Sequence, residues 1–297
     1  MINKKSLYGD LSLLTAAIIW GFGFVAVAIG LSDGTGPYTI LAFRFSIATI
    51  ILLPFQIKKL AKLPPKVWLK GVLLGLFLFG GFAFQTVGQS MTTTSKTAFL
   101  TGANVVIVPF LAWIFIKKPI KKLSIMSAFI CLIGIGFLSL NADLSVNPGD
   151  ILVVICAVLF AGHIATTSVL ARDIPVDTLV FLQMATAAIL SLIFLIGSGE
   201  EIVLTGRSMV AISYLGVFST LIAFYLQTWG QKFSSATKSA IILSTESLFG
   251  TILGIIIFSD PVSFRSVIGC VLIFLSIIIS ETQLSFLKRR KVLKTQI

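Results

Sequence analysis

Charge is scarce in this chain. Only 11% of its 297 residues are Asp, Glu, Lys or Arg, far below what a globule needs to face water on all sides. Acids are scarcer still, 11 against 23 Lys and Arg. Cys131, Cys156 and Cys270 are the whole cysteine complement. They are odd in number and lie in apolar runs, so they imply neither a disulfide framework nor a metal cage and read as small hydrophobic filler. The single histidine, His163, has no carboxylate or thiol at ligand spacing, which argues against a metal site. No GxxxxGK[ST] loop is present to bind ATP, and neither HExxH nor paired intramembrane aspartates offer catalytic machinery. Nothing in the composition implies a cofactor. Long polar loops are missing too, so there is little material for an external binding domain.

What remains is apolar. Hydrophobic residues make up 57% of the chain, 25 of them Phe, and such a chain belongs in a lipid bilayer. Windows near the roughly 20 residues needed to cross about 30 Å of hydrocarbon as a helix recur ten times, at 11–30, 37–57, 68–89, 95–116, 123–140, 150–170, 178–197, 209–231, 236–258 and 266–282. Helices are expected because unpaired backbone groups are costly in lipid and the alternation of a membrane barrel is absent. Lys4 and Lys5 precede the first run as in a signal peptide, but that run is too long and no small-residue cleavage site follows, so it reads as the first span. The predicted class is an all-α integral membrane protein.

Net charge of +12 would suggest nucleic acid in a soluble protein. Here the basic residues sit in short clusters between spans, so they read as topology signals and no nucleic-acid partner is expected. Placing the N-terminus inside puts 19 of the 23 Lys and Arg on the cytoplasmic side, among them Lys58, Lys59, Lys62, Lys117, Lys118 and Lys121 and the tail from Lys288 to Lys294. Lys96, Arg207 and Arg265 fall at outer ends, and Arg44 falls within a span. Asp33, Asp143, Asp150, Glu200, Glu201 and Asp260 fall outside. Both termini are therefore expected in the cytoplasm of a plasma or inner-membrane protein. Docking of the basic ends to anionic lipid is an alternative use of the same charges.

The chain also repeats itself. Gln85, Thr86, Gly88, Gln89, Lys96, Ala98 and Pro119 recur 142 positions later as Gln227, Thr228, Gly230, Gln231, Lys238, Ala240 and Pro261, and Gly9-Asp10 is echoed by Gly149-Asp150. Five spans in each copy, an odd number, make the second copy enter the membrane from the opposite face. The expected organisation is two inverted five-helix repeats, 11–140 and 149–282, followed by a basic tail, 283–297.

Ionisable and amide groups inside lipid are costly and each asks for a reason. Glu246, midway along the ninth span, is the most deeply placed acid and a candidate for proton coupling, for binding a cationic group or for a plain ion pair. Arg44 suits a carboxylate or phosphate, or else tethers two helices. His163 shares a face with Thr167 and fits ligand contact, proton relay or packing. Gln85 with Gln89, and Gln227 with Gln231, form amide pairs at opposite ends of one pathway, as gates, substrate contacts or interhelical bonds worth about 0.6–2 kcal/mol each. Asn104 stands in the first copy where Glu246 stands in the second, which breaks the symmetry at mid-membrane. Trp20 with Phe24, and Tyr225 with Trp229, are aromatic pairs one turn apart that suit a planar or apolar solute, with lipid packing as the alternative. Pro109 is expected to bend the fourth span.

These residues resemble the drug/metabolite transporter superfamily, in particular its ten-helix EamA-type members. The resemblance runs from Leu11 to Thr282. It rests on Trp20-Gly21-Phe22-Gly23-Phe24-Val25, on Pro37 followed by Arg44, and on Ser95, Lys96, Ala98, Thr101, Pro109 and Pro119. In the second copy it rests on Ser235-Ala236-Thr237, Ala240, Ser244-Thr245-Glu246, Gly254 and the helix start at Ser266. Two positions depart from that pattern. Lys118 stands where the family often has an acid, and Ser247 where it often has a proline, which implies a straighter ninth helix. The resemblance implies transport of small organic solutes such as amino acids, nucleobases, sugars or drugs, frequently outward.

The function expected is thus a secondary-active or facilitative transporter working by alternating access, an exporter of an amino-acid-like or nucleobase-like solute or a drug. Spans one, three, four, six, eight and nine are expected to line its pathway, with five and ten as scaffold. A homodimer through five and ten is allowed but not demanded. A receptor or assembly protein and an integral-membrane enzyme are the alternatives.

Overall fold

The computed structural model describes residues 4–116, 122–139, 146–234 and 236–282. Its extended regular elements are all helices, in the order α1 (Lys4–Ser32), α2 (Pro37–Leu60), α3 (Pro65–Gln89), α4 (Thr94–Gly102), α5 (Asn104–Ile116) and α6 (Lys122–Ser139). The second copy follows as α7 (Pro148–Asp173), α8 (Val176–Ser198), α9 (Gly206–Tyr214), a π-helical stretch Leu215–Ile222, α10 (Ala223–Phe233), α11 (Ala236–Ser244), α12 (Glu246–Phe258) and α13 (Phe264–Thr282). Lys117, Lys118, Pro119, Lys121, Asp143, Ser235 and the tail 283–297 lie outside the described residues.

Proline sets several starts. Pro37, Pro65 and Pro148 each open a helix, where the missing N–H costs nothing and φ is already helical. Eight segments are long and apolar enough to span a bilayer, and Lys122–Phe137 and Phe264–Ile279 are shorter apolar helices. With α4–α5, α9–α10 and α11–α12 each counted as one interrupted span, the ten expected spans appear.

Three of those spans are not the continuous α-helices that the sequence suggests. The fourth breaks at Ala103 and the ninth at Thr245, positions 142 apart. At both breaks the ladder tightens to i→i−3 bonds: Ala103 N to Leu100 O (3.2 Å) and Val106 N to Ala103 O (3.1 Å), then Thr245 N to Ile242 O (3.2 Å) and Leu248 N to Thr245 O (3.1 Å). In the second copy the Ser244 and Thr245 hydroxyls donate to Ile241 O and Ile242 O, each at 2.7 Å, and so compete with the helical ladder. The ninth span is thus interrupted without any proline, where Ser247 had suggested a straighter helix. Pro109 lies inside α5, past the first break. The eighth span carries the π stretch, which no residue pattern announced.

Packing follows the repeat. α4 lies along α12, α5 meets α11, and α6 pairs with α13, so the two interrupted spans cross at their breaks. A Cβ on Gly102 would fall 2.0 Å from Ser247 Oγ, which explains glycine at that crossing. α3 packs on α7 and α8, while α1 packs on α10 and α12. The two larger buried apolar clusters are centred on α1, α5, α7 and α11 and on α2, α3 and α8, and Trp20 touches both.

Ion pairs lock the two copies together at opposite ends. Lys96 reaches Asp150 (3.3 Å) at one end, and Lys238 pairs with Asp10 at the other. The lysines are 142 positions apart and the aspartates 140, so these bonds are the same bond in the two halves. The glycines agree, because Gly88 lies on Gly149 at the first end and Gly230 on Gly9 at the second, where added Cβ atoms would meet backbone carbonyls at 2.6–3.3 Å.

Candidate functional site

A cavity opens beside the crossing of the interrupted helices, with its walls drawn in matched pairs from the two copies. Trp20 is matched by Phe160, Phe82 by Phe224, Gln85 by Gln227, and Asn104 by Glu246, all of them lining the cavity. Each pair is separated by 140 or 142 positions, so the cavity lies on the pseudo-twofold axis. Traced by a water-sized sphere, its free space is about 40 Å³. One water needs about 10–15 Å³ on that measure, so the free space matches a few waters.

Arg44 projects from α2 into this space and is almost wholly buried. Its Nε donates to Thr220 Oγ1 (2.9 Å) and its Nη2 to Ser219 Oγ (3.3 Å), while the guanidinium lies 4.1 Å from the centre of the Phe82 ring. Both hydroxyls come from the π stretch. Trp20 uses the same stretch, since its indole N–H donates to Ser219 O at 2.8 Å and its ring lies 4.9 Å from Phe224. The extra residue per turn in a π-helix presents groups that an α-helix would spend on its own ladder, and such stretches concentrate at functional sites. Arg44 therefore combines the tether and cavity readings of the sequence. It also adds the second span to the lining, which the sequence reading had omitted.

Glu246 opens α12 at the break and faces the cavity, buried to 7% exposure. Among the described residues neither Arg44 nor Glu246 enters an ion pair. Asn104 Oδ1 and Gln227 Oε1 are buried without a hydrogen-bond partner, whereas Gln85 Nε2 donates to Thr101 Oγ1 at 3.1 Å. Orphaned polar atoms of this kind carry a cost that bound water or solute relieves.

His163 also lines the cavity, but its Nε2 lies 2.6 Å from Gln183 Oε1, so it is held by a partner that the sequence reading did not name. Phe24 lines the wall beside Gly23 and Val27. Gln89, Gln231 and Tyr225 lie elsewhere. Gln89 stands further out, in a vestibule shared with Asp260, and its Nε2 donates to Phe24 O (2.8 Å). Gln231 likewise donates to Ile164 O (3.1 Å), so this pair of amides ties helices together at both ends. Tyr225 is 41% exposed and turned away, and Phe224 takes the cavity position. The expected aromatic pair lies within one helix, but the face of α10 turned to the cavity is that of Phe224 and Gln227. Phe82, Phe160 and Phe224 were missed, although the 140 and 142 offsets would have found them as partners of one another and of Trp20.

Groups that could hold a metal are not found among the described residues. The cavity offers one cation, one acid, amides and aromatic walls, which suits reversible binding of a small polar organic solute.

The model of the EamA-like transporter family matches twice, over residues 7–140 and 147–282. An uncharacterized transporter from Archaeoglobus fulgidus is 31% identical over 277 residues, covering 93% of this chain and 86% of the relative. The uncharacterized inner membrane transporter YedA of Escherichia coli is 28% identical over 221 residues, covering 71% and 70%. A crystal structure superposes with a TM-score of 0.67 at 20% identity, covering 95% of this chain and 98% of the other, which speaks to the fold alone. With both copies matched and relatives named as transporters, this multi-pass membrane chain belongs to the EamA-like transporter family.

Proposed function

We propose that the chain is a secondary transporter that exports a small amino-acid-like or nucleobase-like solute by alternating access through the cavity on the pseudo-twofold axis. The observation that carries this reading is the joint placement of Arg44 and Glu246 in one aromatic-walled cavity, unpaired with each other. A buried charge without a countercharge is costly. A solute bearing an anionic group for Arg44 offsets the first cost, and a bound proton on Glu246 offsets the second. Asn104 Oδ1 and Gln227 Oε1 supply acceptors for further donors, and Trp20, Phe82, Phe160 and Phe224 supply faces for a planar ring.

In this reading the two copies rock against each other about the crossed breaks, and the ends close in turn. Both termini sit in the cytoplasm of the cell membrane, following the Lys and Arg distribution. Glu246 is the proton-coupling group.

The test compares metabolites inside and outside cells that overexpress either the wild type or a Trp20→Ala, Glu246→Gln double variant at matched membrane abundance. A small set of related solutes, depleted inside and enriched outside only with the wild type, is expected. Identical profiles would remove the export reading, and enrichment inside would reverse its direction.

A further inference from the structure

A second recess lies away from the transport axis, between the start of α4, the end of α6, α12 and the first turns of α13. It measures about 510 Å³ by the same tracing that gives 40 Å³ for the central cavity. Its walls and its mouth differ in chemistry. Phe99, Phe137, Ile255, Val267 and Val271 form the walls, and Val267 and Val271 are 45% and 51% exposed, so the recess opens sideways to the hydrocarbon. At the mouth stand Lys96 and Arg265 with the hydroxyls of Ser263 and Ser266. From Ser263 to Val271 is eight residues, about 12 Å along a helix, so a polar end and an apolar shaft are stacked along the membrane normal.

The charges at the mouth favour an anion. Arg265 enters no ion pair among the described residues. Lys96 is 23% exposed and shares itself with Asp150 at 3.3 Å. The nearby acid Asp260 is turned to the start of α4, where its Oδ2 accepts from Ser95 N (2.7 Å) and Ser95 Oγ (2.6 Å), and it does not line the recess. The wall hydroxyls are spent internally, Ser95 Oγ on Asp260 Oδ2 and Thr251 Oγ1 on Ser95 O (3.3 Å). The shaft therefore presents an apolar surface below a cationic rim. A free polar solute would leave that shaft unfilled, and a neutral lipid would leave the rim uncompensated.

We propose that this recess binds one anionic phospholipid of the surrounding bilayer, its phosphate between Lys96 and Arg265 and the upper part of one acyl chain against Val267 and Val271. Seated there, the lipid touches both α4 and α12, the interrupted helices that frame the central cavity.

The test is lipid retention, which is independent of any transport assay. Purified full-length chain, stripped of lipid and titrated with phosphatidylglycerol or phosphatidylcholine, is read by native mass spectrometry. One phosphatidylglycerol should be retained per chain, about tenfold in preference to phosphatidylcholine. Arg265→Gln should weaken that retention about fivefold, the weight of one cation beside an anionic headgroup. Val267→Trp fills the shaft from its lipid side without touching the charges, and should abolish retention even if the arginine variant fails to accumulate. Equal retention of the two lipids, or phosphatidylglycerol retained undiminished by Val267→Trp, would overturn the assignment. So would displacement of phosphatidylglycerol by equimolar oleate, which would make the occupant a fatty acid.

Discussion

Arg44 and Glu246 are the two residues whose position in the membrane needs the most explanation. Arg44 spends two of the five guanidinium donors on Thr220 and Ser219 and rests its plane on Phe82. That arrangement satisfies geometry but leaves the positive charge without an anion. Glu246 has the converse excess. Its counterpart Asn104 has similar size and no charge, so the acid is a feature of the second copy alone. If Glu246 carries the proton, Glu246→Gln keeps shape and burial and removes only ionisation. In proteoliposomes, uptake driven by an imposed pH gradient should then fall to the undriven level, while solute-for-solute exchange keeps at least about half its rate. Driven uptake at the wild-type rate would exclude the coupling role. Loss of exchange as well would place Glu246 in solute binding instead.

At the scale of the element, the crossing of α4 with α12 depends on an absent side chain. Gly102→Ala places a methyl group 2.0 Å from Ser247 Oγ, and overpacking of this kind costs about 1–3 kcal/mol. The thermal midpoint of the purified chain in detergent should fall. Removing the opposing oxygen with Ser247→Ala should restore most of the loss, because the next contact, Ser247 Cβ at 3.2 Å, is one a side chain can relax from. Two additive losses in the double variant would mean that the crossing is not as close as the structure has it. The sequence showed that these helices belong to matching spans, since the 142-residue offset survives any error in helix ends. It also placed Trp20, Phe24, Arg44, Asn104, His163 and Glu246 at depth, because polar groups in apolar runs stand out. It did not show the breaks or the π stretch. Those arise from hydrogen bonds chosen between near-equal alternatives, such as Thr245 Oγ1 to Ile242 O, which no periodicity of apolar residues encodes. Tyr225 was misplaced for a plainer reason: it lies two residues, about 200° of helix, from Gln227, so the two could not both face the cavity.

For the whole molecule, the decisive feature is that repeat-related ion pairs tie the two copies together at both ends, while the free space of the cavity between them is that of a few waters. These ties are not equally strong. At the Asp150 end the carboxylate is fully buried and accepts from Thr92 Oγ1 (2.6 Å) as well as from Lys96. On the same side Asp260 holds the start of α4 and Asn147 Nδ2 donates to Met91 O (2.9 Å), whereas the α2–α8 contact is tied at both ends, by Glu200 accepting from the Tyr38 and Thr39 amides (3.1 and 2.7 Å) here and by Asp177 accepting from Gln56 (2.9 Å) and Lys59 at the other. At the Asp10 end the pairing side chains are 47% and 24% exposed, and solvent screening leaves such a pair about 0–1 kcal/mol. The closed state should therefore open first at the Asp10 end, which in the proposed orientation is the cytoplasmic one. A single cysteine at Leu243, a cavity position, in a background without Cys131, Cys156 and Cys270, reports this through a membrane-impermeant thiol reagent applied to oriented vesicles. Asp10→Asn should raise labelling from the cytoplasmic face about two- to fivefold, the shift expected for losing up to 1 kcal/mol. Asp150→Asn should raise labelling from the opposite face by a larger factor, since it removes a buried bond. If both variants increased labelling from one and the same face, the two ion pairs would not be opposing gates, and the symmetry that pairs them would be a matter of assembly rather than of alternating access.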